Sequence, residues 1–339
     1  MELYGGIDLH GNNSVISILE KNRRVVYEKR LPNELSVILD ELEPYRDRIS
    51  GMAVESTFNW YWLVDGLMEA GYDMHLVNTS AVIQYSGLKY SGDTHDARWL
   101  AHLLSLGILP EGYIYPRETR SLRDLLRKRG QLVRQRTMNI LSLQSLLARS
   151  GGRQVSCNRV KKMTEKDLED LLPDADTVLA AMSNLRVYHC LNTEIVNLEK
   201  EVLSRVELSP EYTLLTSVDG IGKILALTIM LEVGDIGRFR KAGNFVSYCR
   251  CVRSERKSNG KRKGSGNAKN GNRYLAWAFV EAANFGIRYS DTIKGYYQRK
   301  TSKTKRVIAI KAVAHKLARA CYHILTDQVP FDVERAFGY

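Results

Sequence analysis

The stretch Leu3-Tyr4-Gly5-Gly6-Ile7-Asp8-Leu9-His10 predicts a first β-strand that carries a carboxylate toward its end. Ile7 and Leu9 fall on one face of such a strand and Asp8 on the other, because successive side chains alternate. The segment at 14–19 has the same alternation and follows a short polar turn, so it predicts an antiparallel return. The chain therefore begins with a hairpin whose first strand presents Asp8.

Residues 1–112 alternate predicted strands and helices. The hairpin is followed by a strand at 24–27, a helix at 34–47, a strand at 51–55, a helix at 60–70 and a strand at 72–77. This order suits an RNase H-like (RuvC-like) mixed sheet, a fold whose nucleases present their first metal ligand from such a strand. Glu55 ends the fourth strand, and adjacent strands would bring Asp8 and Glu55 to the same end of the sheet.

Asp93 and Asp96 stand three residues apart behind Gly92, where an apolar-periodic helix begins. That spacing places both side chains on one side of the first helical turn. Helix capping is the commoner role for such a pair, with Asp93 as the N-cap and Asp96 favoured by the positive helix terminus. Together with Asp8 and Glu55, however, they make four carboxylates, whose hard oxygen atoms suit Mg²⁺ or Mn²⁺. We therefore expect these four residues to form one metal site.

The chain has 339 residues, 44% of them hydrophobic, which is enough for two or three folded domains. Lys and Arg outnumber Asp and Glu by 50 to 38, and the net charge of +12 favours phosphate-rich partners over small acidic metabolites. Five scattered cysteines lack zinc-ligand spacing and indicate reduced thiols, as in a cytoplasmic protein. We find no signal-peptide pattern and no apolar run long enough for a membrane span, so we expect no membrane partner.

Residues 113–208 predict a helical coiled-coil connector. Its first helix, at 117–149, interleaves basic residues with leucines, and Asp124 is the only acid among the bases from Arg120 to Arg136. A solvated face would look similar, but this excess favours contact with a phosphate backbone, for which we select Arg120, Arg123, Arg127 and Lys128. The second helix, at 176–206, has an apolar seam that runs from Tyr188 to Val202. The seam could pair with the first helix or with another copy of the chain, and we favour self-association.

Residues 209–339 predict a mainly helical domain that opens with a helix-hairpin-helix-like motif. The turn of this motif contains Gly220 and Gly222, which would let backbone N–H groups approach a phosphate, although a helix C-cap would look similar. The stretch at 250–273 then holds nine basic residues against Glu255 alone, in a loop rich in Gly, Ser and Asn. We expect the loop to be ordered and to hold a phosphate through Arg256, Lys257, Lys261, Arg262 and Lys263. A serine among such cations can attack a phosphodiester, because the cations stabilise the developing charge.

Several motifs follow one another in a specific order along the chain. They are Gly6-Ile7-Asp8, Val54-Glu55, Asp93-Thr94-His95-Asp96-Ala97, Val218-Asp219-Gly220-Ile221-Gly222, and Lys257-Ser258-Asn259-Gly260-Lys261 with Gly271-Asn272-Arg273-Tyr274-Leu275. Each is weak alone, but their order and separation are specific. Over nearly its whole length the chain resembles the IS110 family of insertion-sequence transposases, in particular its IS1111 branch, which is related to Piv-type DNA invertases.

The resemblance implies a RuvC-like catalytic domain at 1–112, a coiled-coil connector at 113–208 and a C-terminal transposase domain at 209–339. It also implies four metal-binding acids and a nucleophilic serine, which map onto Asp8, Glu55, Asp93, Asp96 and Ser258. Many relatives carry serine directly before glycine, whereas here Asn259 intervenes, so Ser265 stays open as the alternative nucleophile. The implied partners are donor and target DNA and a non-coding guide RNA encoded by the element. We further expect a homo-oligomer, a dimer or tetramer, in a bacterial or archaeal cytoplasm.

Three functions compete on these grounds. The leading one is a transposase that cleaves and exchanges DNA strands through a serine nucleophile with the help of a metal ion. A RuvC-like nuclease of branched DNA would need the acids but no serine, because metal-activated water would attack the phosphate. A non-catalytic nucleic-acid-binding protein could retain the fold and the charge. A covalent protein–DNA adduct separates the first from the other two, and metal-dependent nicking separates the second from the third.

Overall fold

The computed structural model describes residues 1–82, 92–206, 209–264 and 270–338 of the chain. These residues form two compact units, Met1–Arg117 and Glu118–Tyr339, and each unit has a hydrophobic core of its own. The three-part division expected at 112 and 208 stays a prediction.

The first unit is built on a five-stranded mixed sheet in the order β3-β2-β1-β4-β5. Its strands are β1 Leu3–Leu9, β2 Asn13–Glu20, β3 Val25–Pro32, β4 Ile49–Glu55 and β5 Met74–Val77. β1 pairs antiparallel with β2 and parallel with β4, which pairs parallel with β5, while β2 and β3 are antiparallel. This topology confirms the predicted RNase H-like sheet.

Helices cover both faces of the sheet. On one face, α1 (Leu35–Leu42) and α2 (Tyr61–Glu69) contribute to a core that also contains Ile7 and Leu9. The helix predicted at 34–47 ends early and continues as a 3-10 helix over Glu43–Arg48. The second residue of that segment is Pro44, which has no backbone N–H and clashes with the carbonyl one turn earlier, so the α-helical hydrogen bonds stop there.

The other face of the sheet is covered by α3 (Asp93–Ser105). Leu100, Leu103 and Leu104 of α3 share a smaller core with Ala53 and Val77 of the sheet. Side chains alternate along a strand, and Ile7 and Leu9 point to the other face. The residues of β1 that face α3 therefore include Gly6 and Asp8. The position of α3 therefore decides what surrounds Asp8.

The second unit begins with a hairpin of two long helices, α4 (Arg117–Gly151) and α7 (Ala175–Val206), separated in sequence by the short helices α5 (Cys157–Val160) and α6 (Glu165–Glu169). Arg129 donates a hydrogen bond to Glu199 at 2.7 Å and Arg136 donates one to Asn192 at 2.6 Å. These pairs run in opposite directions along the two helices, so the helices are antiparallel.

The seam predicted on α7 packs inside the same chain. Tyr188 is buried in a core formed with Leu143 and Leu147 of α4, and Val202 is buried in a core that includes Leu126. Of the two pairings weighed for the seam, the structure shows the one with the preceding helix, because the antiparallel hairpin already covers these apolar residues. The expected homo-oligomer stays a prediction, and it would have to form through a surface other than the α7 seam.

The rest of the second unit is mainly helical, as predicted. Its elements are α8 Pro210–Thr216, α9 Lys223–Val233, α10 Ala242–Tyr248, a strand pair of β6 Arg256–Ser258 and β7 Lys261–Gly264, α11 Arg273–Tyr289, α12 Asp291–Thr301, α13 Arg306–Asp327 and α14 Val333–Phe337. Phe245 and Phe279 are fully buried at the centre of this core. The five cysteines are free thiols, and no helix in the described ranges has the length and apolarity needed to cross a membrane.

Candidate metal centre and nucleophile hairpin

Two of the predicted acids lie at the carboxyl ends of neighbouring parallel strands. β1 and β4 are in register at Ile7 and Val54, so the next residues along the strands are Asp8 and Glu55. Both follow residues that point into the core under α1 and α2, so both face the side of the sheet that α3 covers. Asp8 is only 7% exposed, whereas Glu55 is half-buried.

The other two acids lie in the first turn of α3. The N-cap of this helix is Gly92, so the capping role considered for Asp93 is wrong, and the Asp93 carboxylate makes other contacts. It accepts a hydrogen bond from Arg30 of β3 at 2.5 Å, and one of its oxygens is 3.3 Å from Nε2 of His10. Asp96 lies three residues later in the same turn, with an oxygen 3.6 Å from Nδ1 of His95.

Gly6 explains how α3 comes so close to β1. A Cβ atom at Gly6 would lie 2.0 Å from the carbonyl oxygen of Ala97 and 2.7 Å from the backbone nitrogen of Ala101. Both are backbone atoms of α3, so the helix can rest on the strand only where the strand has no side chain. Gly6 is two residues before Asp8, and this contact therefore positions the first turn of α3 beside the Asp8 carboxylate.

The tightest cluster contains a residue that the sequence argument did not select. One ligand atom from each of Asp8, His10 and Asp93 lies within 4.8 Å of the others, and Nε2 of His10 is 3.4 Å from Oδ2 of Asp8. The signal for His10 was available, because residues two apart on a strand face the same side and His10 therefore follows Asp8. Within the described residues, Glu55 and Asp96 do not join this group at that separation.

The pKa values of the two central acids shift in opposite directions. Burial raises the pKa of Asp8, and the negative charges of Asp93 and Asp96 raise it further, against the opposing effects of His10 and Arg30. The hydrogen bond from Arg30 lowers the pKa of Asp93, with a smaller contribution from His10. Carboxylates collected around a buried one repel each other, and a divalent cation relieves that repulsion. The oxygen-rich donor set with one imidazole fits Mg²⁺ or Mn²⁺.

Ser258 lies in a β-hairpin rather than in an irregular loop. It ends β6 and pairs with Lys261 of β7 across the two-residue turn Asn259-Gly260. Both turn residues have positive φ, 50° and 72°, as in the type I′ turn for which Asn-Gly is the favoured sequence. The Ser258 side chain is exposed beside the turn. Asn-Gly, the favoured pair for a two-residue hairpin turn, was the sequence signal for this hairpin. The alternative Ser265 lies outside the described residues.

The basic residues selected on α4 do not share one exposed face. Arg120 and Arg123 are 4% and 5% exposed, so they pack inside the protein instead of facing solvent as expected. Arg127 makes two hydrogen bonds to Glu232, at 2.6 and 2.8 Å, and only Lys128 of the four is exposed. The physical reason is that 3.6-residue periodicity places Arg120, Arg123 and Arg127 on one side of α4, and this side is not the one that faces solvent.

The basic residues of the hairpin are described only in part. Lys261 and Lys263 are exposed, whereas the side chains of Arg256, Lys257 and Arg262 lie outside the described part of the chain. At the base of the hairpin, Arg250 donates hydrogen bonds to the carbonyl oxygens of Asn270 and Gly271 at 3.1 and 3.0 Å. These hydrogen bonds join the two ends of the 250–273 stretch.

The two glycines of the helix-hairpin-helix-like turn have different roles. A Cβ at Gly220 would lie 2.4 Å from the Ala282 carbonyl oxygen, and its φ of +92° also favours glycine, so this residue is needed for packing against α11. A Cβ at Gly222 would meet nothing within 4 Å. Gly222 is the N-cap of α9, so open space at this position leaves the helix N-terminus accessible to a phosphate, whereas Gly220 serves the fold.

The comparisons with known proteins match both units in chain order. A family profile of DEDD transposases from IS110 elements, described as Transposase, matches residues 5–151, and the profile Transposase IS116/IS110/IS902 family matches residues 212–298. The first contains the sheet, the acidic cluster and α4, and the second contains the serine hairpin. The chain belongs to the IS110 family of transposases. This transposase therefore combines an RNase H-like DEDD domain with the family's C-terminal region.

Two curated relatives support the assignment at low identity. The chain is 25% identical over 284 residues to the transposase for insertion sequence element IS1111A of Coxiella burnetii, an alignment that covers 80% of this chain and 75% of the relative. It is 26% identical over 267 residues to the putative transposase y4qE of Sinorhizobium fredii, covering 76% of this chain and 65% of that protein. The chain thus spans three quarters of the first relative and slightly less than two thirds of the second.

Proposed function

We propose that this transposase cleaves and rejoins the ends of its insertion sequence through a phosphoserine bond formed by Ser258. The observation that carries the proposal is the Asp8, His10 and Asp93 cluster beside the carboxyl edge of an RNase H-like sheet, in a chain of a transposase family. The residues proposed to hold Mg²⁺ or Mn²⁺ are Asp8, Glu55, Asp93 and Asp96, with His10 beside them. When bound, the ion would polarise a phosphate oxygen as a Lewis acid.

The proposed reaction keeps the phosphodiester energy for rejoining. The Ser258 oxygen forms a bond to phosphorus as the bond to one deoxyribose oxygen breaks, and the serine proton ends on that leaving oxygen as a hydroxyl. The free hydroxyl of the other strand can then reverse the step and release the serine. Attack by water would instead hydrolyse the phosphodiester bond, and its energy would be lost for rejoining. Lys261, which pairs with Ser258 across the hairpin, places a cation near the developing charge.

The central test follows adduct formation on a DNA duplex that carries the element ends. Asp8→Asn should abolish metal-dependent cleavage, whereas Asp40→Asn, which changes an exposed acid on α1, should leave it intact. Ser258→Ala should bind DNA and form no covalent adduct. If Ser258→Ala still exchanges strands and Ser265→Ala does not, Ser265 is the nucleophile. Activity in both variants, or wild-type activity in excess EDTA, would leave hydrolysis or a metal-free route as the better explanation.

The proposed partners are donor and target DNA, a guide RNA encoded by the element, and further copies of the chain in a dimer or tetramer. Transposition requires DNA, and the +12 charge supports polyanionic partners. Purified protein treated with RNase should lose site-specific exchange and regain it when the element's non-coding transcript is added. Light scattering should give a mass of two or four chains, and a monomer that remains fully active would contradict the assembly.

A further inference from the structure

A cavity of about 450 Å³ lies between α4, α9 and the start of α11, inside the second unit. Its lining includes Gly130, Arg134, Ile224, Arg273, Tyr274 and Trp277. This volume is within the range of small-ligand sites, and the proposed reaction uses none of these residues.

The floor of the cavity is a fixed polar network. Glu232 is 2% exposed, and its carboxylate accepts two hydrogen bonds from Arg127 and one from Asn272 at 2.7 Å. The Asn272 side-chain oxygen also accepts from the backbone N–H groups of Tyr274 and Leu275, so it caps α11. The Arg127 guanidinium lies 4.5 Å from the centre of the Tyr274 ring. These contacts hold the Tyr274 ring in place and neutralise the buried acid.

The rim of the cavity is cationic and aromatic. Arg134 and Arg273 are exposed, and in the described part of the chain neither forms an ion pair with an acid. Trp277 is 44% exposed and lies one helical turn after Tyr274, on the same face of α11. An exposed indole ring beside guanidinium groups that pair with no acid is a combination that binds single-stranded nucleic acids, because a base stacks on the ring while the cations attract the phosphates.

Gly130 points to the same use. It lies in the interior of α4, where glycine is less favourable than alanine by about 1 kcal/mol. No close packing requires it there, since an added Cβ would meet only an Arg134 nitrogen at 3.8 Å. A side chain at this position would extend into the cavity, so glycine keeps the cavity open.

We infer that this cavity receives an unpaired nucleobase, which stacks on Trp277 while Arg134 and Arg273 contact the neighbouring phosphates. Tyr274 forms the wall beside the base, because Arg127 and Arg273 lie 4.5 and 4.9 Å from the centre of its ring. A duplex cannot use the site, because its bases are stacked on one another and only a base out of the stack can enter the cavity. The inference rests on the proposed function as a nucleic-acid recombinase. It specifies that the protein holds a single strand of the DNA or RNA.

The experiment measures binding separately from cleavage. All proteins carry Asp8→Asn, and the probes are a 20-nucleotide poly-dT, the matching poly-U and a duplex of the same length. Poly-dT or poly-U should quench tryptophan emission, and Trp277→Phe should lose most of the quenching although the other tryptophans remain. Gly130→Leu should weaken single-strand binding by roughly five- to hundredfold and leave duplex binding unchanged. Gln135→Leu, at an exposed position of the same helix, is the control.

Each outcome decides the matter. A stronger effect with poly-U assigns the site to RNA, and a stronger effect with poly-dT assigns it to DNA. Equal loss of duplex and single-strand binding in Gly130→Leu, or unchanged quenching in Trp277→Phe, would overturn the inference. Circular dichroism melting shows whether Gly130→Leu is folded, and Trp277→Phe gives the answer independently if it is not. If the inference is overturned, the enzyme with its native Asp8 can still form the serine adduct, so the proposed function is tested separately.

Discussion

Gly6 is the residue on which the geometry of the acidic cluster depends most. We predict that Gly6→Ala destabilises the first unit by about 1–3 kcal/mol, because its methyl group would clash with the α3 backbone at Ala97 and Ala101. The clash should also push α3 away from β1 and so weaken Mn²⁺ binding at the acidic cluster. Thermal melting and Mn²⁺ titration followed by electron paramagnetic resonance measure the two effects. Gly11→Ala is the control, since a Cβ at Gly11 meets nothing within 4 Å, and an effect of equal size there would contradict the argument.

His10 is the second residue whose role the structure defines. Its Nε2 atom lies within 3.4 Å of oxygens from both Asp8 and Asp93, so a bound ion would have imidazole nitrogen within reach. We predict that His10→Ala lowers Mn²⁺ affinity about tenfold, comparable with the loss of other supporting groups at metal sites. His75→Ala, which removes a histidine from β5, should leave the affinity unchanged. An unaltered titration for His10→Ala would exclude His10 from the metal site.

At the scale of elements, the ion pair between Arg98 and Glu28 joins α3 to the edge strand β3, in addition to the pair between Asp93 and Arg30. Arg98 donates two hydrogen bonds to Glu28 of β3, at 2.5 and 2.7 Å, and Ser17 of β2 donates a third at 2.8 Å. The hydrogen bonds from Arg98 lower the pKa of Glu28 below its ordinary value of 4.5. The charged carboxylate therefore stabilises the folded state above pH 4.5, and this contribution is lost as the pH falls through the lowered pKa.

We predict that Glu28→Gln lowers the melting temperature at pH 7 and that the difference from wild type shrinks on acidification below pH 4.5. The reason is that protonated Glu28 and glutamine are then equivalent partners for Arg98. Melting curves from pH 7 to pH 3 give the comparison. Glu34→Gln, an exposed neighbour just before α1, should show no such dependence. A gap that stays constant with pH would mean that the charge of Glu28 is unimportant.

A second prediction at this scale concerns neighbouring cations on α4. Arg127→Met should destabilise the second unit by about 3–5 kcal/mol, because it leaves the Glu232 carboxylate buried without its charged partner. Lys128→Met should leave stability unchanged, since Lys128 is exposed, and should instead reduce the salt dependence of DNA binding. Chemical denaturation and binding isotherms at several salt concentrations separate the two. If Arg127→Met instead left stability unchanged and reduced the salt dependence, Arg127 would bind phosphate, as the sequence analysis predicts.

At the scale of the whole molecule, the acids and the serine belong to different compact units of one chain. The acids lie before residue 100 and Ser258 lies more than a hundred residues later, beyond the α4 and α7 hairpin. In a homo-oligomer, one copy could supply the metal centre and another the serine. We predict that mixing Ser258→Ala with Asp8→Asn restores part of the strand exchange that each variant lacks. Absence of any restored activity in co-assembled mixtures would place both groups in the same chain.

The sequence by itself determined the order of elements and much of the candidate site. Strand alternation is a local property, so the pattern around Asp8 predicted both the strand and the face on which the carboxylate lies. Parallel pairing of β1 and β4 then put Glu55 at the neighbouring strand end, as expected. Helical periodicity likewise predicted the long helices α4 and α7 nearly to their ends. These features depend on neighbouring residues, and the sequence shows neighbours directly.

Tertiary structure alone decided which charged groups meet. The helical pattern predicts Arg127 as a solvent-facing base, but in the fold it pairs with Glu232, 105 residues away in the sequence. Arg30 pairs with Asp93, 63 residues away. The partner of the α7 seam likewise depended on which helix lay opposite it. Helix periodicity defines a face but not the surface that covers it, because burial results from contacts between distant segments. The sequence therefore predicted the elements and the acids, and only the fold decided which cations were left for nucleic acid.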